Sequence, residues 1–356
     1  MKISNEALII DGSEGEGGGQ VLRTSLSLAA LSGRPLQFVN IRAGRSRPGL
    51  RPQHLTAVRA VAGICNARLD GDEIGSQKLT FAPQSPPRGA QYHFDVQDVA
   101  EHGSAGAVTL ILQAMLWPLL FADGPSELTL RGGTHVPFSP PFHYLEHVFR
   151  PAAALFGARF DLQLDAWGWL PAGEGQISAT IQPLQRLEAV VFQPQSPDVV
   201  QGVAAVTNLP SHIAQRMANR AGNLLRENGL HPDVRPLRER APGPGAGIFL
   251  WLSKAGFGQL GRPGYPADKV AEDAVAELLS FIENGPAAVD QHLADQLLIP
   301  MALAQGRSTF TTHLLSSHTL TNASIVRQWL DVDVSVSGRM GESGSVSVVG
   351  AGVTRS

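Results

Sequence analysis

The sequence predicts a mixed α/β (α+β) protein of tandem helix-and-strand modules with a smaller α/β domain set among them. Three observations carry that expectation. A unit recurs about every hundred residues in which a glycine-bearing turn opens an apolar helix, a Gly/Pro turn stops it and a β-branched strand follows. Glycine (38) and proline (25) are plentiful among 356 residues, as suits a chain punctuated by tight turns. The stretch from Leu184 to about Leu279 breaks the rhythm.

The first unit is GEGGGQVLRTSLSLAALSG followed by PLQFVNIRAG, and Val21, Leu22, Ser25, Leu26 and Ala29 give its helix one small or apolar face. HLTAVRAVAGIC before LDGDEIGSQKLTF is a further helix–strand pair. The second unit is HGSAGAVTLILQAMLWPLLFADG followed by SELTLRGG; its helix is apolar all round, which predicts burial between layers. Residues 184–279 open with strand-like LEAVVF and proline-spaced QPQSPD. A helix at HIAQRMANRAGNLLRE, a turn at Asn228-Gly229 and a strand at GIFLWL follow, so this segment is expected to be a separate small domain. AAVDQHLADQLLIPMALAQG with STFTTH, then NASIVRQWL with DVDVSVSG, complete the large domain, which is expected to comprise residues 1–183 and 280–356.

Composition bounds the function. Hydrophobic residues make 43% and charged residues 17% of the chain, as in ordinary globular proteins. A formal net charge of −3 argues against a protein that coats nucleic acid non-specifically, yet allows a pocket that gathers a few arginines around a phosphate. Cys65 stands alone, which excludes an intrachain disulfide and a cysteine zinc cluster; its AVAGIC setting predicts a buried, inert thiol. The apolar run Ala107–Phe121 contains Thr109, Gln113 and Pro118 and falls short of the ~18–20 residues that span a bilayer. The N-terminus lacks a signal-peptide pattern, so a soluble cytoplasmic protein is expected.

Four segments carry chemistry-bearing residues. In EGEGGGQVLR, Glu14–Arg23, glycines precede a helix start whose free N–H groups suit a phosphate; a plain tight turn needing positive φ explains the glycines equally well. Neither a Walker A loop nor a dinucleotide fingerprint is present there. Glu16 gains nothing from packing in such a loop, and Gln20 and Arg23 follow it. In IRAGRSRPGLRPQH, Arg42, Arg45, Arg47 and Arg51 repel one another unless an anion or solvent separates them, and arginine favours forked bonding to phosphate. HYLEH, His143–His147, matches an inverted zinc-peptidase pattern, but Pro140-Pro141 and Pro151 confine its helix to about two and a half turns and no third ligand is marked. Packing or surface histidines are the expectation there. His318, in LLSSHTLTNASIV, precedes a helix expected to be N-capped by Thr321 or Asn322; its imidazole is a nucleophile for phosphorus or a structural hydrogen bonder.

GEGGGQVLRTSLSL, IRAGRSRPGLRPQHLTAV, GSAGAVTLILQ, FADGPSELTLRGGTHVPFSPP, ADQLLIPMALA and SHTLTN together resemble, in order, the RNA 3′-terminal phosphate cyclases. The resemblance covers nearly the whole chain and is weakest in the insert. It implies repeated βαβαββ-type modules with a small α/β domain inserted late. It also implies a ligase-class activity that uses ATP and a divalent cation (Mg or Mn) to convert an RNA 3′-terminal phosphate to a 2′,3′-cyclic phosphodiester. The family's nucleophilic histidine falls on His318, its loop acid and metal ligand on Glu16, and its phosphate-gripping arginines on Arg23, Arg42 and Arg45. Gln20 and Gln53 fall among residues lining the same pocket. Gln113 and the run His292, Leu293, Ala294, Asp295 and Gln296 fall on ATP-binding positions, with His292 where several relatives carry a tyrosine that stacks on adenine. The expected partner is RNA with a 3′-terminal phosphate, and no membrane; the sequence leaves a homo-oligomer open. Two alternatives remain: a non-catalytic cyclase-like protein of ribosome assembly, which lacks the nucleophilic histidine, and an enolpyruvyl transferase of related module architecture, which needs none.

Overall fold

A computed structural model describes residues 6–100, 103–194 and 198–355; His102 of the second unit and Gln195, Ser196 and Pro197 of QPQSPD lie outside them. The first module runs β1 (Leu8–Asp11), α1 (Gly19–Ser32), β2 (Leu36–Val39), α2 (Pro52–Cys65), β3 (Arg68–Asp70) and β4 (Leu79–Ala82). Its sheet has the order β1-β2-β4-β3, with β1 and β2 parallel and the other pairs antiparallel. The second module repeats this with β5 (Gln91–Asp95), α3 (Val108–Leu120), β6 (Ser126–Gly132), β7 (Arg159–Ala166) and β8 (Gly175–Gln182), order β5-β6-β8-β7 and the same strand senses. Between β6 and β7 runs a helical segment, α4 (Phe142–Tyr144), a π turn (Leu145–Phe149) and α5 (Arg150–Leu155). That helix is longer than the prolines suggested. The π turn, bonded from Arg150 N to Leu145 O, shifts the ladder just before Pro151, which lacks a donor.

The insert comprises β9 (Val199–Thr207), α6 (Ser211–Glu227), β10 (His231–Glu239), β11 (Gly245–Leu252), β12 (Ala255–Leu260) and α7 (Ala267–Glu283), with sheet order β10-β9-β11-β12. Both helices cover one face around a separate core that includes Met217, Leu225, Leu250 and Phe281. The other face turns Phe249 onto Trp167 and Trp169. The third module contributes α8 (Gln291–Gln296), α9 (Leu298–Leu303), β13 (Gln305–Thr312), α10 (Ser317–Trp329), β14 (Asp333–Ser337) and β15 (Gly344–Ala351), order β13-β15-β14. LEAVVF joins this sheet rather than that of the insert. Glu188 and Val191 bridge parallel to Gln305 and Thr309, and Thr309 N donates to Val190 O at 3.0 Å. It stands to β13 as β1 stands to β2.

Helix α3 is buried on all sides except at Gln113, as an all-round apolar helix requires. It packs on α1 and α2, and α1 also packs on α10. Small side chains in α1 allow that closeness: Ser27 is buried and donates to Ala114 O at 2.7 Å. The consequence for function is directional. The N-terminal ends of α1, α2, α3 and α10 all border one cavity, and each turns the positive end of its helix dipole toward it.

Candidate active site

The cavity has a volume of about 1080 Å³ and extends from the glycine loop to the insert's β11 and β12. At its base the loop turns through Gly15 and Gly17, both at positive φ (62° and 60°). A side chain on Gly18 would meet Glu16 Oε1 at 1.8 Å, so glycine there lets the carboxylate fold back over its own loop. The Glu16 side chain is only 8% exposed and meets Arg45 Nη2 at 2.9 Å and His318 Nε2 at 3.2 Å. Thr321 Oγ1 accepts the Glu16 N–H at 3.2 Å and ties the loop to α10.

His318 lies inside the first turn of α10, not before it. The cap is Ser316, whose Oγ accepts the Thr319 N–H at 3.1 Å. Thr321 and Asn322, the expected caps, sit one turn further on with their side chains committed to Glu16 N and to Thr24 and Asp295 O. Burial pushes the His318 imidazole below its ordinary range; Arg23, His292 and Arg45 add to this, and Glu16 opposes it. A neutral ring at cellular pH follows. Its Nδ1 bonds Gln20 Oε1, and Gln20 Nε2 donates to Asp295 Oδ2 at 2.5 Å.

Of the four loop arginines the structure brings Arg42, Arg45 and Arg51 to the cavity, together with Arg23 from α1. Arg47 is exposed away from it and contributes a backbone carbonyl that accepts from Arg42 Nη1 at 2.8 Å. Burial lowers Arg23 to about 10, with Asp295 and Glu16 drawing it back up. Arg42 is lowered by burial and then by Arg45 and Arg51, the signature of cations gathered without enough anion.

Gln113 Nε2 donates to Gln296 Oε1 at 2.7 Å, which joins two of the expected ATP positions across α3 and α8. His292 stands at the rim, and Asp295 and Gln296 face the cavity, while Leu293 and Ala294 are fully buried in the core. Gln53 lines the cavity too, with its Oε1 accepting the Ala107 N–H at 3.1 Å at the start of α3.

HYLEH serves packing. Glu146 pairs with Arg150 at 2.7 Å, His147 stacks on Trp251 with centroids 4.0 Å apart, and His143 Nδ1 meets His135 Nε2 at 2.9 Å. Cys65 is buried, and burial pushes its thiol up to about 12.

A sequence profile described as RNA 3′-terminal phosphate cyclase matches residues 14–336. An RNA 3′-terminal phosphate cyclase of Trichormus variabilis is 50% identical over 90% of this chain and 93% of its own length. Those of Methylococcus capsulatus (46%, covering 95% and 94%) and Pyrobaculum aerophilum (39%, covering 98% and 100%) are similar throughout. The chain belongs to the RNA 3′-terminal phosphate cyclase family. A solved enolpyruvyl transferase, NikO of Streptomyces tendae, covers 98% of this chain and 49% of its own at 10% identity and TM-score 0.37, too slight a likeness to carry any argument.

His54 in this family member's cavity, and Asp290 buried beside that cavity, had escaped sequence reasoning. His54, buried and pushed well below the ordinary imidazole range by burial and by Arg23, Arg42 and Arg51, lies against Gly19. Asp290 is fully buried. It accepts from His292 N, Leu293 N, the Tyr144 hydroxyl and Gly256 N at 2.7–3.0 Å, joining α8, α4 and β12. An N-cap Asp before a helix was visible in VDQHLADQ; the partners 146 and 34 residues away were not.

Proposed function

We propose that this chain converts an RNA 3′-terminal phosphate to a 2′,3′-cyclic phosphodiester with consumption of ATP, through AMP held covalently on His318 Nε2. The observation that supports this best is an imidazole at the N-terminal end of α10, between Glu16 and a group of arginines, in a cavity bordered by four helix N-termini. Nε2 bonds the α-phosphorus as the bond to the β-phosphate oxygen breaks and pyrophosphate leaves. An oxygen of the RNA 3′-phosphate then takes the AMP from the histidine. The adjacent 2′-hydroxyl attacks the 3′-phosphorus and expels AMP, a step that proximity favours. Arg23, Arg42 and Arg45 let two phosphate groups meet, and the arginine fork suits their oxygens.

For ATP, we assign Gln113 and Gln296 to the wall and His292 to the adenine edge, with Leu293 and Ala294 contributing backbone alone. A lone, nearly buried carboxylate beside an anion site fits a hard divalent cation (Mg or Mn) that completes its shell with phosphate oxygens and water, so Glu16 would hold it. Such a cation supplies charge neutralisation of the triphosphate. We also infer that residues 199–283 form a domain inserted into the third module, after its first strand, and that the enzyme works in the cytoplasm.

ATP labelled at the α-phosphorus tests the reading: label should appear on His318 and pass to an RNA 3′-phosphate, whose end becomes phosphatase-resistant. Absence of label on the protein in the presence of Mg or Mn overturns it. Glu16→Ala should weaken the metal dependence of labelling; an unchanged metal titration would make Glu16 structural.

A further inference from the structure

The contacts on the far side of the His318 ring have a definite polarity. Asp295 offers acceptors to Gln20, so the Gln20 amide nitrogen turns to it, at 2.5 Å. The other end of the same planar amide, Oε1, therefore faces His318 Nδ1 and can only accept. Nδ1 must donate. Gln20 is 8% exposed and is held by the start of α1, so the amide has little room to turn over. A second rung braces the first: Thr24 Oγ1 donates to Asn322 Oδ1 at 2.7 Å, and Asn322 Nδ2 donates to Asp295 O at 2.9 Å. These bonds join α1, α8 and α10 at the level of the ring.

We propose that Gln20 and Asp295 are positioning residues that hold His318 in the tautomer protonated at Nδ1, leaving Nε2 as the nitrogen that attacks phosphorus. The inference rests on the nucleotidyl-transfer reading above and adds to it how the ring is prepared. When Nε2 bonds phosphorus and pyrophosphate departs, the ring becomes a cation that keeps its Nδ1 proton. Glu16 lies on the bond-forming side, 3.2 Å from Nε2, so the negative charge behind Nδ1 comes from Asp295 through the polarised amide. A carboxylate behind a catalytic imidazole acts in this way in the serine triad, fixing the tautomer and stabilising the imidazolium; here an amide is interposed. Burial pushes the Asp295 carboxyl up to about 7 against the opposing pull of Gln20 and then Arg23, so its charge is complete only above that pH.

The test combines kinetics with the ring's own spectrum. In full-length protein labelled with ¹⁵N-histidine, the His318 resonances, found by difference against His318→Gln, should show protonated Nδ1 and unprotonated Nε2 at a pH above the imidazole range. Asp295→Asn presents an amide that can donate as well as accept, so Gln20 is free to turn over. The protonated Nε2 form should then appear. The single-turnover rate of AMP transfer from saturating ATP should fall about a hundredfold, less than the roughly ten-thousandfold loss from a wrong tautomer in a serine triad. Half-saturation by ATP should stay close to wild type. Gln20→Glu keeps an acceptor at Nδ1 and should retain the wild-type tautomer, whereas Gln20→Leu should lose it. A protonated Nε2 in the wild-type ring overturns the inference. So does an Asp295→Asn protein that fills poorly with ATP yet transfers at the normal saturated rate, because Asp295 would then be a nucleotide contact. Thermal melts of each variant identify those that fail to fold, for which the wild-type spectrum alone decides. Absence of any adduct on wild-type His318 would refute the proposed function instead, whatever the tautomer.

Discussion

Two groups of histidines, each with a member in the wall of one cavity, differ in almost everything that matters chemically. His318 and His54 lie among arginines and Glu16; His135, His143 and His147 lie among Trp167, Trp169, Phe249 and Trp251. Burial pushes His143 down to about 3 and His135 well below its ordinary value, so that pair is locked neutral. His318 remains half-exposed, with a carboxylate on one nitrogen and an amide on the other. Burial without charge makes a histidine a packing ring. Partial burial with opposed, directional partners makes one nitrogen available.

The largest expected effect separates the groups outright. His318→Ala should abolish both the AMP adduct and cyclisation and shift stability by no more than about 1 kcal/mol, since the side chain is 46% exposed. Residual adduct in that variant would move the nucleophile elsewhere. Next come the arginines. Arg42→Ala and Arg45→Ala each remove charge-assisted hydrogen bonds worth about 1.5–3 kcal/mol, so steady-state cyclisation should fall roughly ten- to hundredfold. Lysine at either position should rescue only in part, because it restores charge without the fork. Near-normal turnover in both alanine variants would make the cluster a solvated loop.

The aromatic group should respond in the opposite sense. His143→Ala removes a buried ring and leaves His135 Nε2 without its partner, which should cost about 2–4 kcal/mol in denaturant melts while the folded protein still forms the adduct. Stoichiometric zinc by elemental analysis, lost on the same substitution, would overturn the packing role.

The smallest expected effect is on pH. His54, His135 and His143 have folded values below that of an unfolded histidine, so the unfolded chain binds more protons below about pH 6.5. Their contribution is therefore complete above that pH and is lost as pH falls, by up to about 1.4 kcal/mol per unit for each group. Asp295, raised to about 7, acts in the reverse direction between its unfolded and folded values and offsets part of the loss. Melts from pH 8 to 5 should show declining stability, with a shallower decline in His143→Phe; equal slopes would mean that His143 is not held neutral.

The sequence by itself determined the modular α/β architecture, the burial of α3, the inert Cys65 and the segments from which the site is made. Those properties follow from local pattern. Apolar periodicity selects helix or strand, and glycine and proline mark where each ends, without regard to what lies across the fold. Order along the chain likewise placed Glu16, Gln20, Arg45 and His318 among the candidates. Tertiary structure alone decided which of them touch. LEAVVF reads as a strand wherever it goes, but its pairing with β13 depends on a partner that follows more than a hundred residues later. Arg47 and Arg51 look alike in sequence, yet only Arg51 reaches the cavity, because the loop that carries Arg42 at positive φ folds back on its own carbonyls. The Gln20–His318 and Gln20–Asp295 bonds join residues 298 and 275 positions apart. Side-chain type sets what a group can donate or accept, but the direction of a hydrogen bond is settled only by what the packed helices bring within reach.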